Sequence, residues 1–131
     1  MRIRFRSIGL SILVSSVLFQ AAPAFAHHSN VAFEVMKVVT LTGVVKDFQW
    51  RNPHTWILLT VDDGKGGKTE WSLEGRAPGV LLRSGWTRTS IASGETITVD
   101  MSPAKDGSKT GLVARVTKAD GTILANAPPA P

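Results

Sequence analysis

From about Val38 onward, apolar and polar residues alternate with a period of two, the spacing of a β-strand with one buried face. Val39, Leu41, Gly43 and Val45 fall on one face, after which the parity changes to Phe48 and Trp50. Keeping both sets on one side needs one extra residue. The pattern therefore predicts a β-bulge between Gly43 and Asp47 that sharply bends a long first strand. Asn52-Pro53 ends that strand as a turn, because proline has no N–H for a ladder and presets its own φ. A second strand over 54–61 carries Trp56, Ile57, Leu58 and Leu59 in succession, the near-continuous apolar run of a strand covered on both faces. Asp62-Asp63-Gly64-Lys65-Gly66-Gly67 makes a hairpin loop into a third strand over 68–73, where Trp71 and Leu73 alternate with Glu70 and Ser72.

Pro78 suits the first turn of a short helix near 80–84, Val80, Leu81 and Leu82 give it an apolar side, and Gly85 stops it. A fourth strand alternates Ile97, Val99 and Met101 against Thr96, Thr98 and Asp100. After the turn Lys105-Asp106-Gly107-Ser108, a fifth strand is expected to turn Leu112, Ala114 and Val116 inward, and Asp120-Gly121 leads to a last segment, Thr122, Ile123 and Leu124. The order β-β-β-α-β-β predicts an all-β domain, an OB-like β-barrel with one short helix whose closure removes exposed edges. A six-stranded sandwich or open roll is the other arrangement this order allows. The core should include Leu41, Val45, Ile57, Leu59, Leu73, Leu81, Ile97, Val99 and Val116.

The chain ahead of the first strand obeys a different rule. Arg2, Arg4 and Arg6 precede an apolar run over 8–19, and Ala24-Phe25-Ala26 closes the segment. That order describes a secretory signal peptide over residues 1–26, cleaved after Ala26, with a periplasmic destination for the mature chain. The run is shorter than the ~20 residues of a spanning helix, so no membrane span is expected after processing. Residues 27–37 then form an N-terminal arm in which Phe33, Val35 and Met36 pack onto a barrel domain over 38–124. Residues 125–131, Ala-Asn-Ala-Pro-Pro-Ala-Pro, have no apolar period and are expected to form a disordered tail.

Export changes the meaning of the charge. The full chain has a formal net charge of +5, but losing three arginines lowers the basic residues from fifteen to twelve against ten acidic ones. So small an excess is a solvated surface rather than a phosphate-neutralising stripe, and no nucleic-acid partner is expected. The absence of cysteine excludes disulfides, zinc–thiolate sites and cysteine nucleophiles.

His27-His28-Ser29, Val39-Thr40-Leu41-Thr42-Gly43, Asn52-Pro53-His54, Gly85-Trp86-Thr87-Arg88 and Lys105-Asp106-Gly107-Ser108 together resemble a family of short exported bacterial proteins of unknown function. Its members begin His-His-Ser after the signal peptide, and the resemblance runs from His27 to about Leu124. It implies a compact β-barrel outside the cytoplasm and leaves the ligand open. The chain is also distantly similar to periplasmic OB-fold stress proteins, a likeness of fold that names no site.

All three histidines, His27, His28 and His54, lie early in the mature chain. Cleavage after Ala26 makes His27 the N-terminal residue, whose α-amine and imidazole chelate one metal. A third nitrogen from His28 or His54 completes the T-shaped set that suits Cu(II). The alternative is that His-His only follows a permissive cleavage site while His54 completes a turn. Distance restrains the larger set: residues 38–50 extended span about 40 Å, whereas an eleven-residue arm covers about 36 Å, so the arm reaches His54 only by folding back along a bent strand.

Four tryptophans invite a second reading, a stacking platform for an oligosaccharide or an interaction face for a protein. Trp56 and Trp71 fit burial in the core, which leaves Trp50 and Trp86, beside Arg51 and Arg88, as the pair expected at the surface. Asp62 with Asp63 and Glu70 with Glu74 are paired carboxylates in or beside a polar hairpin, where solvation is expected. No nucleophile elbow, phosphate-binding glycine loop or metalloprotease helix is present, so an enzyme is not expected.

Overall fold

The computed structural model of the protein describes residues 32–126; the expected signal peptide, His27, His28 and residues 127–131 lie outside the described residues. Strands β1 (Val39–Gln49), β2 (Trp56–Asp62) and β3 (Lys68–Glu74) form an antiparallel meander. Helix α1 (Pro78–Arg83) comes next, then β4 (Thr96–Pro103), β5 (Thr110–Lys118) and the short β6 (Ile123–Ala125). The hydrogen-bonded order is β3-β2-β1-β4-β5-β6, and a parallel pairing of β3 with β5 closes β1, β2, β3, β5 and β4 into a five-stranded barrel. The closed barrel and its single short helix agree with the architecture the alternation predicts. Among the described residues no helix is long and apolar enough to cross a membrane.

The bend in β1 comes from two features of its sequence. Val45 pairs with Leu59 and Asp47 with Leu58, so Lys46 is the extra residue that returns Phe48 to the side of Val45. Gly43 gives the second: a Cβ there would lie 2.4 Å from the Thr60 carbonyl oxygen, so only glycine lets β1 press this closely on β2 while also pairing with Ile97 of β4. Inside, Val45, Ile57, Leu59, Leu73, Leu81, Ile97, Val99, Met101, Val113 and Val116 form the buried core. Leu41 packs against it half-buried.

Several expectations need correction. In β5 the buried residues are Gly111, Val113 and Val116, while Leu112 is half-buried and Ala114 exposed. Asp100 pairs with Arg115 but Met101 with Val113, so Ala114 is a bulge residue that switches the inward parity midway. Trp86, expected at the surface, is 2% exposed, whereas Trp56 and Trp71 are only half-buried. Of the three arm residues expected to pack, Phe33 is buried and bridges to Ala104, while Val35 is exposed and Met36 is 96% exposed. The expected tail begins too early, since Ala125 belongs to β6 and Asn126 is buried.

Candidate functional site

Strand register builds one polar cluster on the outer face of the barrel. Trp56 stands opposite Glu74, and His54, two residues earlier on the same face, is diagonal to that carboxylate. The intervening residues point the other way: Thr55 and Ile57 are buried, as are Leu73 and Gly75. His54 Nδ1 lies 2.6 Å from Glu74 Oε1, with the His54 side chain 35% exposed. Glu74 is only 8% exposed, which corrects the expectation of a solvated carboxylate. Its partner Leu112 on β5 and its partner Trp56 on β2 flank it on either side.

The backbone beneath this pair is held from three directions. The Thr55 N–H and its hydroxyl both donate to the Arg76 carbonyl, at 3.2 and 3.0 Å, and the Gly75 N–H donates to the Thr55 carbonyl at 2.9 Å. A Cβ at Gly75 would lie 2.3 Å from the Thr55 hydroxyl, so this approach requires glycine. From the far end of the chain, Asn126 accepts the Arg76 N–H at its Oδ1 (3.1 Å) and donates through Nδ2 to the Val113 carbonyl. Thr55, Arg76 and Asn126 thus fix the strand ends that carry His54 and Glu74. The segment before them, Asn52-Pro53, is a cis peptide, consistent with the turn expected there.

The other candidate residues are dispersed. Trp50 is half-buried and meets Phe48 edge-on, with ring centres 5.8 Å apart, and Phe48 in turn lies 6.0 Å from Trp86. Trp86 faces inward, its indole N–H donating to the Ala125 carbonyl at 2.7 Å. The Trp50–Trp86 pair is therefore a line from surface to core and not a shared stacking face. Trp71 has the Lys109 ammonium 5.1 Å from its ring centre. Asp62 and Asp63 accept N–H groups of their own loop, from Gly64 and from Lys65 and Gly67, the structural role expected of a polar hairpin.

Carboxylates held below their ordinary range stand elsewhere. Asp100 is lowered by the Thr40 hydroxyl and by Arg115, and Glu95 by the Ala92 N–H and Lys118. Asp106 and Asp120 are lowered by bonds within their turns, to Ser108 and Thr122. Among the described residues no three histidine or carboxylate side chains gather as a metal cluster.

The pairing of His54 with Glu74 is not visible in the sequence, because the two are twenty positions apart and meet only through the β2–β3 register. The nearly continuous apolar run in β2 is the available signal, since it implies a covered outer face around Trp56 and Leu58.

A model of a family of unknown function (DUF6152) matches residues 14–115. No curated protein and no solved structure matches the chain.

Proposed function

The chain belongs to this family of unknown function, and from that premise we propose that it is an exported, non-enzymatic periplasmic binding module that holds one Cu(II) ion. Cleavage after Ala26 frees the His27 α-amine, which chelates the ion together with the His27 imidazole, and His54 Nε2 supplies the third nitrogen. The supporting scaffold is an OB-like barrel: a five-stranded ring with the helix between β3 and β4 fits that assignment.

One observation carries the reading. The Nδ1 of His54 is engaged by Glu74 at 2.6 Å, which leaves Nε2 as the ligand nitrogen in the carboxylate–histidine arrangement typical of metal sites. It favours His54 over His28 as the third donor.

Barrel closure also gives a shorter path than the one along β1. The Ala32 carbonyl accepts the Lys105 N–H, so the arm lies beside the end of β4, which neighbours β5, which neighbours β3. Three interstrand steps and three residues along β3 put Glu74 roughly 17 Å from Ala32. Burial of Trp86 takes one of the two tryptophans from the oligosaccharide- or protein-interaction alternative, while Trp50 stays half-buried.

Calorimetry of Cu(II) binding tests the proposal. Protein beginning at His27 should bind one equivalent at least tenfold more tightly than the same chain with one extra N-terminal residue. Equal affinity of the two forms would end the terminal-chelate reading.

A further inference from the structure

We propose that the end of the barrel opposite α1 is a membrane-contact face, which inserts the Val35-Met36 turn into bilayers that carry anionic phospholipid. The inference is independent of the copper reading.

The strand register gathers the start of β1, the β2–β3 hairpin and the β4–β5 connection at one end of the barrel and leaves α1 at the other. Just ahead of β1 the chain makes a reverse turn, in which the Lys37 N–H donates to the Glu34 carbonyl at 2.8 Å. Its two central positions, where asparagine, aspartate and glycine are usual, hold Val35 and Met36. Both are exposed, as is the nearby Val38 at 65%. This tip is not a loose end. Phe33 is buried beneath it, and the Glu34 N–H donates to the Pro103 carbonyl and the Lys105 N–H to the Ala32 carbonyl, both at 2.9 Å. A fixed backbone therefore holds three apolar side chains out in water, and their transfer to hydrocarbon is favourable without further ordering of the chain.

The charges around the tip complement an anionic surface. Five of the seven lysines, Lys37, Lys65, Lys68, Lys105 and Lys109, stand at this end. Lys37 and Lys105 line one groove together with Phe33, Val35 and Met36, so their ammonium groups lie at headgroup level when the tip enters the acyl region. The same segments hold four carboxylates. Asp62, Asp63 and Asp106 accept N–H groups of their own loops, and Glu34 makes with Lys37 an exposed pair at 3.4 Å, of a kind that contributes little in water. An apolar tip with a basic rim supplies the two signals that reversible membrane attachment requires. Because the tip projects, it suits a fluid surface that closes around it.

The test uses protein beginning at His27, so that the apolar run over 8–19 does not itself bind lipid. Vesicles are phosphatidylcholine alone or an equal mixture of phosphatidylcholine and phosphatidylglycerol. Wild type should co-sediment with the mixed vesicles and dissociate at high salt. Val35→Ser combined with Met36→Ser should weaken binding at least about tenfold, and Lys37→Gln and Lys105→Gln about fivefold each. Ile123→Ser, which alters an apolar side chain 60% exposed at the α1 end, should bind as wild type does. All these side chains are exposed, and equal urea midpoints check that the variants fold. The chain has no cysteine, so Met36→Cys accepts a single environment-sensitive fluorophore, whose emission should shift to the blue on mixed vesicles, whereas the same label on Ile123→Cys should not shift. Absence of binding to mixed vesicles overturns the proposal, as does binding that survives the Val35→Ser and Met36→Ser pair or is as strong on phosphatidylcholine alone. A tip-dependent dimer in place of vesicle binding would instead give this face to a second copy of the chain.

Discussion

The Trp86 indole N–H donates to the Ala125 carbonyl at 2.7 Å, tying the segment after α1 to the last strand of the sheet. Trp86→Ala removes this bond together with a large buried ring, and should cost about 3–5 kcal/mol in urea unfolding. Trp86→Phe retains most of the packing but leaves a carbonyl without its donor, and about 1–3 kcal/mol is expected. A Trp86→Phe protein as stable as wild type would show that the bond contributes nothing.

Asn126 joins the β3–α1 connection to β5 through its side chain. Asn126→Ala leaves the Arg76 N–H and the Val113 carbonyl without their Asn126 partner; the exposed Arg76 N–H can turn to water, so a loss of about 1–3 kcal/mol is expected, from the buried Val113 carbonyl. Because Arg76 also receives Thr55, the variant should loosen amide protection at Thr55 and Gly75 in hydrogen exchange. Unchanged protection there would separate Asn126 from the His54 support.

Gly75 has no room for a side chain, since an added Cβ would lie 2.3 Å from the Thr55 hydroxyl. Gly75→Ala should destabilise the fold by about 1–3 kcal/mol through overpacking. Because the shift displaces the residue next to His54, Cu(II) affinity should fall with it. Gly79→Ala, where an added Cβ meets nothing within 4 Å, is the control and should leave affinity as in wild type.

Asp100 accepts from Thr40 at 2.7 Å and from Arg115, which together hold its carboxyl below the ordinary value of 3.8. A folded-state value below the unfolded one adds stability above pH 3.8 that is lost as pH falls through the lower, folded value. Glu95, held below 4.5 by the Ala92 N–H and Lys118, acts in the same direction. Acid unfolding should therefore steepen below about pH 4. Asp100→Asn should flatten the stability–pH curve in that window; an unchanged slope would remove Asp100 as its source.

Much of the barrel is legible in the sequence because its signals are local. The parity change from Val45 to Phe48 calls for a bulge between Gly43 and Asp47, where the register puts it at Lys46, and Pro78 with Gly85 bounds the helix. The run Trp56-Ile57-Leu58-Leu59 announces a strand covered on both faces, with Ile57 and Leu59 buried inside and Trp56 and Leu58 half-buried outside. The features that stay hidden depend on pairings between distant segments. The β5 bulge at Ala114 arises from its register against Asp100 and Met101, and alternation within Leu112, Ala114 and Val116 masks it. Trp86 sits next to Arg88 in a polar stretch, yet its burial is decided by Phe48 and Ala125. Glu74 reads as one more hairpin carboxylate until the β2 and β5 pairings enclose it.

The central claim is that one Cu(II) is bound by the His27 amine and imidazole with His54 as the third nitrogen donor. Electron paramagnetic resonance of mature protein loaded with one equivalent of Cu(II), compared with the His54→Ala variant, tests it most directly. Nitrogen superhyperfine structure should report three nitrogen donors in wild type and two in the variant. Identical spectra for the two proteins, or a wild-type spectrum indistinguishable from Cu(II) in buffer, would contradict the account.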